Sequence, residues 1–377
     1  MSIVKIKAVA RKEFYHLIRD FRSLYLAFFI PLLLILLFGY ALSLDVDNIP
    51  TVVVDHDRTA FSADFCRKLD ASASFDLIGH LPDTAALDQA LDANNAKLAI
   101  VIPPGWSAAL KADRPSPLQV ILDGSDPNFA GLARSYITSF VAAANRRLQI
   151  DYFNRQGREP INVPVDARIR VWFNEDLESR NFIVPGIIAI IIMIVGAMLT
   201  SLVIAREFEN GTMETLRSLP LDAAELLAGK AIPYFFIGLI DVLVAVLMGQ
   251  VLFGVVIKSS FALLVLACSI YLAVALSLGL LISTVTKSQL VANQAAILVT
   301  YLPSLLLSNF VFPIINMPTI LQKITYLVPA TYFIDILNGL YLRGLGFGGL
   351  WPSFAVLGAM ALGLAAVNVI KLRGEGL

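Results

Sequence analysis

The sequence has few charged residues. Of its 377 residues, 15% are charged and 57% are hydrophobic, whereas about 25% of the residues of a soluble globular protein are charged. The formal net charge is +0, so the chain lacks the basic excess that nucleic-acid binding uses. This composition excludes an ordinary soluble enzyme and is typical of a protein that crosses a membrane several times.

Cysteine and histidine are also scarce. Cys66 lies in a polar segment and Cys268 in an apolar run, so we expect no disulfide between them and interpret both as packing residues. None of the three histidines has a partner at the helical spacing of metal ligands. Asp55-His-Asp57 is interpreted as a polar turn, because adjacent residues of a strand point to opposite faces. We therefore predict no metal site.

A nucleotide-binding motif is missing as well. Around Gly229-Lys230, the P-loop pattern would need a glycine where Ala224 stands and a hydroxyl where Ala231 stands. The nucleophile motif G-x-S-x-G is also absent. The sequence predicts that the chain is not an enzyme and binds no cofactor itself.

Long apolar runs are abundant. A run of about 20 residues spans the hydrocarbon core as a helix, because a helix satisfies its own backbone hydrogen bonds there. The first run is too long for the apolar part of a cleaved signal peptide, so it is predicted to be an anchor. The six predicted spans are Leu24–Leu44, Phe182–Ala205, Leu227–Phe253, Phe261–Ser283, Leu290–Leu307 and Leu350–Ile370.

The distribution of basic residues predicts the orientation of the spans. Lysines and arginines cluster before the first span and follow the last one, which places both termini in the cytoplasm. Residues 1–23 have apolar residues at helical spacing among the basic ones and are predicted to form an amphipathic elbow helix on the inner membrane surface. The first span then occupies residues 24–44.

Residues 45–181 are polar and more acidic than basic, so we predict an extracytoplasmic domain. Its β-rich runs (Ile49–Val54, Phe75–Ile78, Ala96–Ile102, Leu118–Leu122) alternate with predicted helices (Ala60–Leu69, Thr84–Asp92, Asn128–Leu148). The predicted fold is an α-helical polytopic membrane protein with six transmembrane helices and an inserted extracytoplasmic α/β domain. The other five spans lie in residues 182–377.

A charged loop, residues 206–225, joins the second and third spans on the predicted cytoplasmic side. Thr212 is expected to cap a short helix in which Glu214 lies near the positive end of the helix dipole, and Pro220 ends it. Asp222 and Glu225 have the spacing of a capping box. These residues alone fit either a structured lever or a solvated connecting loop.

The motif Arg206-Glu-Phe-Glu-Asn-Gly-Thr-Met-Glu-Thr-Leu-Arg-Ser-Leu-Pro220 resembles the cytoplasmic loop of type-2 permeases of ATP-binding-cassette transporters. Leu305–Pro318 and Leu327–Gly339 are similar to the segment between the fifth and sixth spans of that family. The outer domain is similar to the large insert of its multidrug-exporter branch. Phe208, Asn210 and Asn309 depart from the usual family residues, which leaves the identity of the ATPase partner open.

The resemblance implies the permease subunit of an exporter of amphipathic, drug-like or lipid-like compounds in a bacterial inner membrane. Its implied partners are membrane lipid, a second permease chain, identical or paralogous, and a cytoplasmic ATPase that binds ATP and Mg²⁺; a periplasmic adaptor is an additional option. In the implied coupling loop, charged residues bind an ATPase groove that Phe208, Met213 and Leu216 fill. The loop residues are Arg206, Glu207, Phe208, Glu209, Gly211, Thr212, Glu214, Leu216, Arg217 and Pro220.

Polar residues inside the predicted spans need an explanation, because ionisable groups are costly there. Asp241 is expected to line a translocation path or to hydrogen-bond to Ser or Tyr of a neighbouring helix, and Lys230 is expected to snorkel. Asn293 and Gln294 are candidates for the path, for the interface with the partner permease or for helix packing. Residues 309–348 are predicted to form outer re-entrant helices.

Two other functions stay open at the level of sequence. One is an ion-coupled secondary transporter that uses Asp241 as its carrier, although two similarly interrupted halves are not evident. The other is a receptor or scaffold whose outer domain senses a ligand.

Overall fold

The computed structural model describes residues 2–19, 21–41, 48–155, 172–174 and 178–376. These residues are mostly helical. The elements follow one another as α1 (Ile3–Arg19), α2 (Phe21–Ala41), β1 (Ile49–Asp55), α3 (Ala60–Asp70), β2 (Phe75–His80), α4 (Thr84–Asp92), β3 (Leu98–Ile102), α5 (Trp106–Lys111), β4 (Gln119–Leu122), α6 (Pro127–Arg155), α7 (Arg180–Glu209), α8 (Thr212–Ser218), α9 (Ala223–Phe253), α10 (Phe261–Thr286), α11 (Gln289–Leu306), α12 (Thr319–Thr325), α13 (Pro329–Tyr341) and α14 (Phe347–Gly374).

The chain divides into two compact units. The helical unit comprises Met1–Ser43 and Arg170–Leu377, and the inserted unit comprises Leu44–Ile169. In the described part of the chain, five helices are long and apolar enough to cross a membrane: α7, α9, α10, α11 and α14. Helices α12 and α13, bent by 76°, pass the same test together. The protein is therefore a polytopic membrane protein with five or six candidate spans.

Two predicted regions are only partly covered. Helix α2 lies where the first span is predicted, but the end of that span at Leu44 and the start of the predicted outer domain at Asp45 lie outside the described residues. The bend between α12 and α13 falls inside the predicted re-entrant segment, and such bends occur both in broken spans and in re-entrant loops. The number of spans and the re-entrant assignment stay predictions.

Helix α7 forms the centre of the helical unit, and most of its side chains are buried. Small residues let it approach α10 closely: a Cβ on Gly196 would lie 2.7 Å from the Ala275 side chain, and one on Gly279 would lie 2.3 Å from the Ala197 carbonyl. The Thr200 hydroxyl donates a hydrogen bond to the Leu276 carbonyl at 2.8 Å. Close backbone approach and interhelical hydrogen bonds are the main attractions between helices in lipid, so this contact fixes the bundle.

The inserted unit is built on a four-stranded sheet of order β2-β1-β3-β4. Strand β1 pairs in parallel with β2 and β3, whereas β4 is antiparallel to β3 at the sheet edge. One face, which includes Val53 and Ile100, packs with residues of α3, α5 and α6, and the other, which includes Val54, packs against α4. The strands begin within two residues of the predicted β-rich runs. Helix α5 was not predicted.

A polar turn follows β1, and an ion pair joins residues next to β3 and β4. The Asp55 carboxylate accepts hydrogen bonds from the backbone N–H groups of Asp57 (2.9 Å) and Arg58 (3.0 Å), as in a polar turn. No group of three metal-ligating side chains occurs among the residues that the structure describes. Lys97 and Asp123 form an ion pair at 2.5 Å across β3 and β4, and the hydrogen bond from Lys97 holds the pKa of Asp123 well below its ordinary value.

Both cysteines are free and buried, as expected of packing residues. Cys66 is packed in the core of the inserted unit. Burial raises the pKa of its thiol to about 11, so the reactive thiolate form is rare at neutral pH.

Candidate functional site

The short helix α8 separates the two long helices α7 and α9. Gly211 precedes it with a left-handed backbone (φ 70°), a conformation that glycine adopts without a steric penalty. Thr212 was expected to be the capping residue, and this is wrong: Gly211 is the N-cap, without a side-chain hydrogen bond. The helix ends at Ser218, and Leu219 is extended because a residue before proline avoids the helical conformation.

One face of α8 is buried inside the chain. Met213 and Leu216 are 2% and 8% exposed and belong to the core of the helical unit. The prediction that they fill a groove of an ATPase is therefore wrong. Apolar residues three positions apart lie on one face of a helix, and here that face anchors α8 to its own bundle.

A buried charge network holds α8 in place. It consists of Lys12 and Glu13 on α1, Glu207 on α7 and Lys230 on α9, with the hydroxyl of Thr212 bound to the Glu207 carboxylate. Lys230 Nζ lies 2.6 Å from Glu13 Oε1 and 2.7 Å from Glu207 Oε1. Lys12 Nζ lies 3.2 Å from the same Glu207 oxygen. Glu13, Glu207 and Lys230 are buried, whereas the Lys12 side chain is 55% exposed and reaches Glu207 from the surface. Inside the network Lys230 therefore neutralises most of the charge of two glutamates, and Lys12 supplies the second positive charge at its edge.

The network corrects two predictions. Glu207 is only 7% exposed and its carboxylate is used within the chain, so it does not face an ATPase. Lys230 is 1% exposed and bound by two carboxylates, so it does not snorkel. Glu13 was missed at the level of sequence. The available signal was an acidic residue in the otherwise basic helix α1, but nothing in the sequence indicates that it lies opposite Lys230.

Helix α1 also touches the end of the loop. The Lys5 ammonium donates a hydrogen bond to the Pro220 carbonyl and lies 3.7 Å from Glu225. The Asp222 N–H donates to the Glu225 carboxylate at 3.3 Å, as the predicted capping box requires. A Cβ on Gly229 would lie 2.6 Å from Val9, so α1 packs directly on α9.

The other side of the loop is tied to α10 and α11. The Glu209 carboxylate accepts hydrogen bonds from the backbone N–H and the side-chain amide of Gln289, at 2.8 and 2.6 Å. Lys287 Nζ lies 5.0 Å from the centre of the Phe208 ring. Arg206 and His16 are joined by a 3.0 Å hydrogen bond. These predicted contact residues are therefore engaged with their own chain.

The last turn of α14 and the residue that follows it, Glu375, also contact the loop and α10. Lys287 Nζ lies 2.7 Å from Glu375 and Arg217 lies 3.9 Å from it, while Arg373 lies 3.1 Å from Asp222. The hydrogen bond from Lys287 lowers the pKa of Glu375 below its ordinary value, so this carboxylate is ionised at neutral pH.

The side of α8 opposite its buried face is exposed to solvent. Glu214, Thr215, Ser218 and Leu219 are exposed, and we call these four residues the α8 surface. Glu214 forms no ion pair among the described residues, and the apolar Leu219 is 47% exposed. The α8 surface thus offers one unpaired carboxylate and one exposed leucine, which are groups that protein contacts use.

Asp241 lies in the middle of α9 and is 4% exposed. The expected hydrogen bond from Ser or Tyr of a neighbouring helix is not found: no described residue donates to its carboxylate. Gly238, one turn earlier, would place a Cβ 2.9 Å from Leu272 of α10, so this face of α9 is closely packed.

Asn293 and Gln294 lie in the second turn of α11. The Asn293 side chain is half-buried and that of Gln294 is exposed. Within the described part of the chain, neither side chain has a hydrogen-bond partner. A packing role through hydrogen bonds inside this chain is thus not supported, and a role toward a partner or the path stays a prediction.

Comparison with known proteins decides the family. A model of the family described as "ABC-2 family transporter protein" matches residues 21–370. The chain belongs to the ABC-2 transporter family. The match covers α2, the inserted unit, α8 and almost all of α14, so the family accounts for nearly the whole chain.

Two relatives from Escherichia coli are similar along nearly their full length, and a third, from Dictyostelium discoideum, over half of its length. The "Probable multidrug ABC transporter permease YbhS" of Escherichia coli K12 is 36% identical over 346 residues, which cover 91% of this chain and 90% of the relative. The corresponding YbhR is 28% identical, with 93% of each chain covered. "ABC transporter G family member 20" of Dictyostelium discoideum is 22% identical over 97% of this chain but only 50% of the relative. ABC-2 permeases are the non-catalytic membrane subunits of ABC transporters.

Proposed function

We propose that the chain is the permease subunit of an ATP-driven exporter. It pairs with a second permease chain and binds cytoplasmic ATPase subunits, which hold ATP and Mg²⁺. The cargo is an amphipathic, drug-like or lipid-like compound. Family membership and the permease names of the relatives support this proposal.

In this proposal the protein lies in a bacterial inner membrane. Both termini and α8 are cytoplasmic, and the inserted unit and the bent α12–α13 segment are on the outer side. The basic residues of α1 and of the last turn of α14 support this orientation. Exposed Gln294 on α11 is a candidate contact with the second permease chain, and a periplasmic adaptor is compatible with the outer position of the inserted unit.

The observation that carries the proposal is the attachment of α8 to the neighbouring helices of its own chain. Its buried face and the buried charge network join α8 to α1, α7 and α9, while the α8 surface is left free. A push on α8 is therefore transmitted to two long helices at once. Buried ion pairs resist separation, because opening one leaves an uncompensated charge.

The test changes only the α8 surface. Glu214→Lys with Leu219→Asp inverts one charge and removes the exposed apolar contact, and wrong-sign charges at an interface cost about several kcal/mol. The tagged permease is purified in lipid, its bound ATPase is identified by a P-loop sequence, and Mg-ATP hydrolysis is measured. We expect at least about a tenfold loss of bound ATPase, which corresponds to about 1.4 kcal/mol.

Two controls make this test specific. Glu214→Gln keeps a hydrogen-bond acceptor and should lose less. Lys323→Glu, an exposed charge reversal on α12, should retain ATPase and hydrolysis. Normal ATPase binding and hydrolysis by the double variant would show that α8 is a connecting loop and not a coupling element.

A second candidate function rests on Asp241. A buried carboxylate without a described donor is costly unless it binds a proton or cation. This favours a contribution of Asp241 to ion-coupled transport. Transport that persists without ATP and follows an imposed ion gradient would support it.

A further inference from the structure

The inserted unit contains a large cavity that the proposed coupling mechanism does not use. Its volume is about 1070 Å³, and it is bordered by α3, α5, β4 and α6. Cavities that hold drug-sized ligands have volumes of about 300–1,000 Å³. This cavity is therefore large enough for one amphipathic molecule.

Aromatic side chains form one wall. The centre of the Trp106 ring lies 5.4 Å from that of Phe61 and 5.5 Å from that of Phe65. The ring centres of Phe65 and Phe140 are 5.4 Å apart. Trp106 and Phe65 are 4% and 9% exposed and belong to the core of the inserted unit, whereas Phe61 and Phe140 are half-buried. The half-buried rings supply most of the aromatic surface that a ligand could cover. Because Trp106 comes from α5, Phe61 and Phe65 from α3, and Phe140 from α6, the wall depends on three separate helices.

The edge strand β4 also lines the cavity. Val120 and Leu122 point to the same side of the sheet, since residues two apart in a strand share a face. Both line the cavity and are only half-buried. Ile137, Val141 and Ala144 of α6 lie along the same space. An apolar chain placed here would cover aliphatic surface that the fold itself leaves partly uncovered.

The charges at the rim select the sign of the ligand. Lys68 is paired with Asp64 at 2.6 Å, and Asp64 also accepts a hydrogen bond from Arg67, so that carboxylate is neutralised. Arg134 and Arg147 line the cavity from α6, and so does Asp151, whose carboxylate has an interaction of its own. Neither guanidinium has an ion-pair or hydrogen-bond partner among the described residues. Guanidinium groups bind carboxylates and phosphates with two parallel hydrogen bonds.

We propose that this cavity binds an amphiphile with an acidic head group. The apolar chain lies against the aromatic wall and β4, and the head group binds an arginine of α6. The proposal does not depend on ATP-driven export, because binding is expected without ATP or an ATPase.

Trp106 offers a direct measurement. The chain has three tryptophans, and the other two, Trp172 and Trp351, are exposed. The full-length chain with W172F and W351F is placed in phosphatidylcholine nanodiscs, where Trp106 is the single tryptophan. Bromododecanoate is then added, since bromine quenches tryptophan emission on contact. The matched probes are bromododecyl-trimethylammonium and bromododecanol.

We expect saturable quenching by the carboxylate probe at about tenfold lower concentration than by the other two. R134E with R147E should raise the half-saturating concentration at least about tenfold. R146E, an exposed neighbour that does not line the cavity, should have no effect. A144F should reduce the amplitude by filling the cavity. Trp106 emission before the probe is added checks that each variant is folded; if the double charge reversal is not, R134E and R147E are measured singly.

Three results would overturn the proposal. Equal quenching by all three probes would show simple partitioning into lipid. Quenching that is unchanged by the arginine variants would show that the acidic head group of the probe does not bind Arg134 or Arg147. A change of Trp106 emission with protein concentration, without a probe, would assign the cavity to contact with a second copy of the chain. Failure of this test leaves the role of α8 untouched, because the two assays use different residues and different readouts.

Discussion

Replacing Lys230 with methionine tests the buried charge network. Lys230 is the only described partner of Glu13, whereas Glu207 would keep Lys12 at 3.2 Å and the Thr212 hydroxyl. The substitution removes one buried cation and leaves Glu13 buried without a counter-charge. Breaking a buried pair in this way costs about 3–5 kcal/mol, a large part of the stability of a folded protein.

The second variant of this test removes both partners. Lys230→Met with Glu13→Leu leaves the Lys12–Glu207 pair intact and fills the site with apolar atoms. Replacement of a buried pair by apolar residues is often neutral or stabilising. We expect the double variant to recover most of the loss, which would give a strong coupling between the two positions in a double-mutant cycle.

Equilibrium unfolding by SDS in mixed micelles, followed by far-ultraviolet circular dichroism, measures these differences. Lys7→Met is the matched control, because Lys7 is exposed on the same helix α1 and should change stability by less than about 0.5 kcal/mol. Two results would contradict this reasoning. Lys230→Met could lower the free energy of unfolding no more than Lys7→Met does, or the effects of Lys230→Met and Glu13→Leu on that free energy could simply add. In either case Lys230 and Glu13 are not coupled, and their ion pair does not explain how α8 is attached to the helical unit.

Three further predictions concern topology, transport and acid stability. Cysteines introduced at Asp92 and Ser218 should be labelled by an impermeant maleimide from opposite faces of the membrane; labelling from one face would refute the orientation. Asp241→Asn should transport normally if the carboxylate only packs, and a loss of transport in a folded variant would show that it binds a proton or cation. Asp123 stabilises the inserted unit fully above its unfolded pKa of about 3.8 and loses this effect as the pH falls toward its lowered folded pKa. Asp123→Asn should therefore destabilise the unit more near neutral pH than at about pH 2, where part of the effect is already lost, as measured by Trp106 emission during unfolding; an equal difference at both would exclude the Lys97 pair as the cause.

The pattern of apolar and polar residues predicted most helices and strands well. Long apolar runs located α7, α9, α10, α11 and α14, because burial in lipid or protein demands such runs whatever the tertiary contacts are. The short helix α5 was missed, since its six residues are too few for a clear period and the preceding Pro103-Pro-Gly105 indicated only a turn.

The candidate site was only partly predictable. The sequence indicated that α8 exists, but an apolar pair such as Met213 and Leu216 has the same spacing whether it faces its own bundle or a partner. Likewise, Lys230 and Glu13 are 217 positions apart, and local rules of charge spacing carry no information over that distance. The direction of a helix face and the pairing of distant charges are tertiary properties, so they required the structure.

The buried charge network also constrains how this chain can change over many generations. A neutral residue in place of Lys230 leaves the Glu13 carboxylate buried without its described counter-charge. A neutral residue in place of Glu13 leaves Lys230 with only Glu207 as its partner. Either first step is costly, whereas the completed pair of changes is tolerated. These positions are therefore expected to drift together, so that a relative with an apolar residue in place of Lys230 should also carry a neutral residue in place of Glu13.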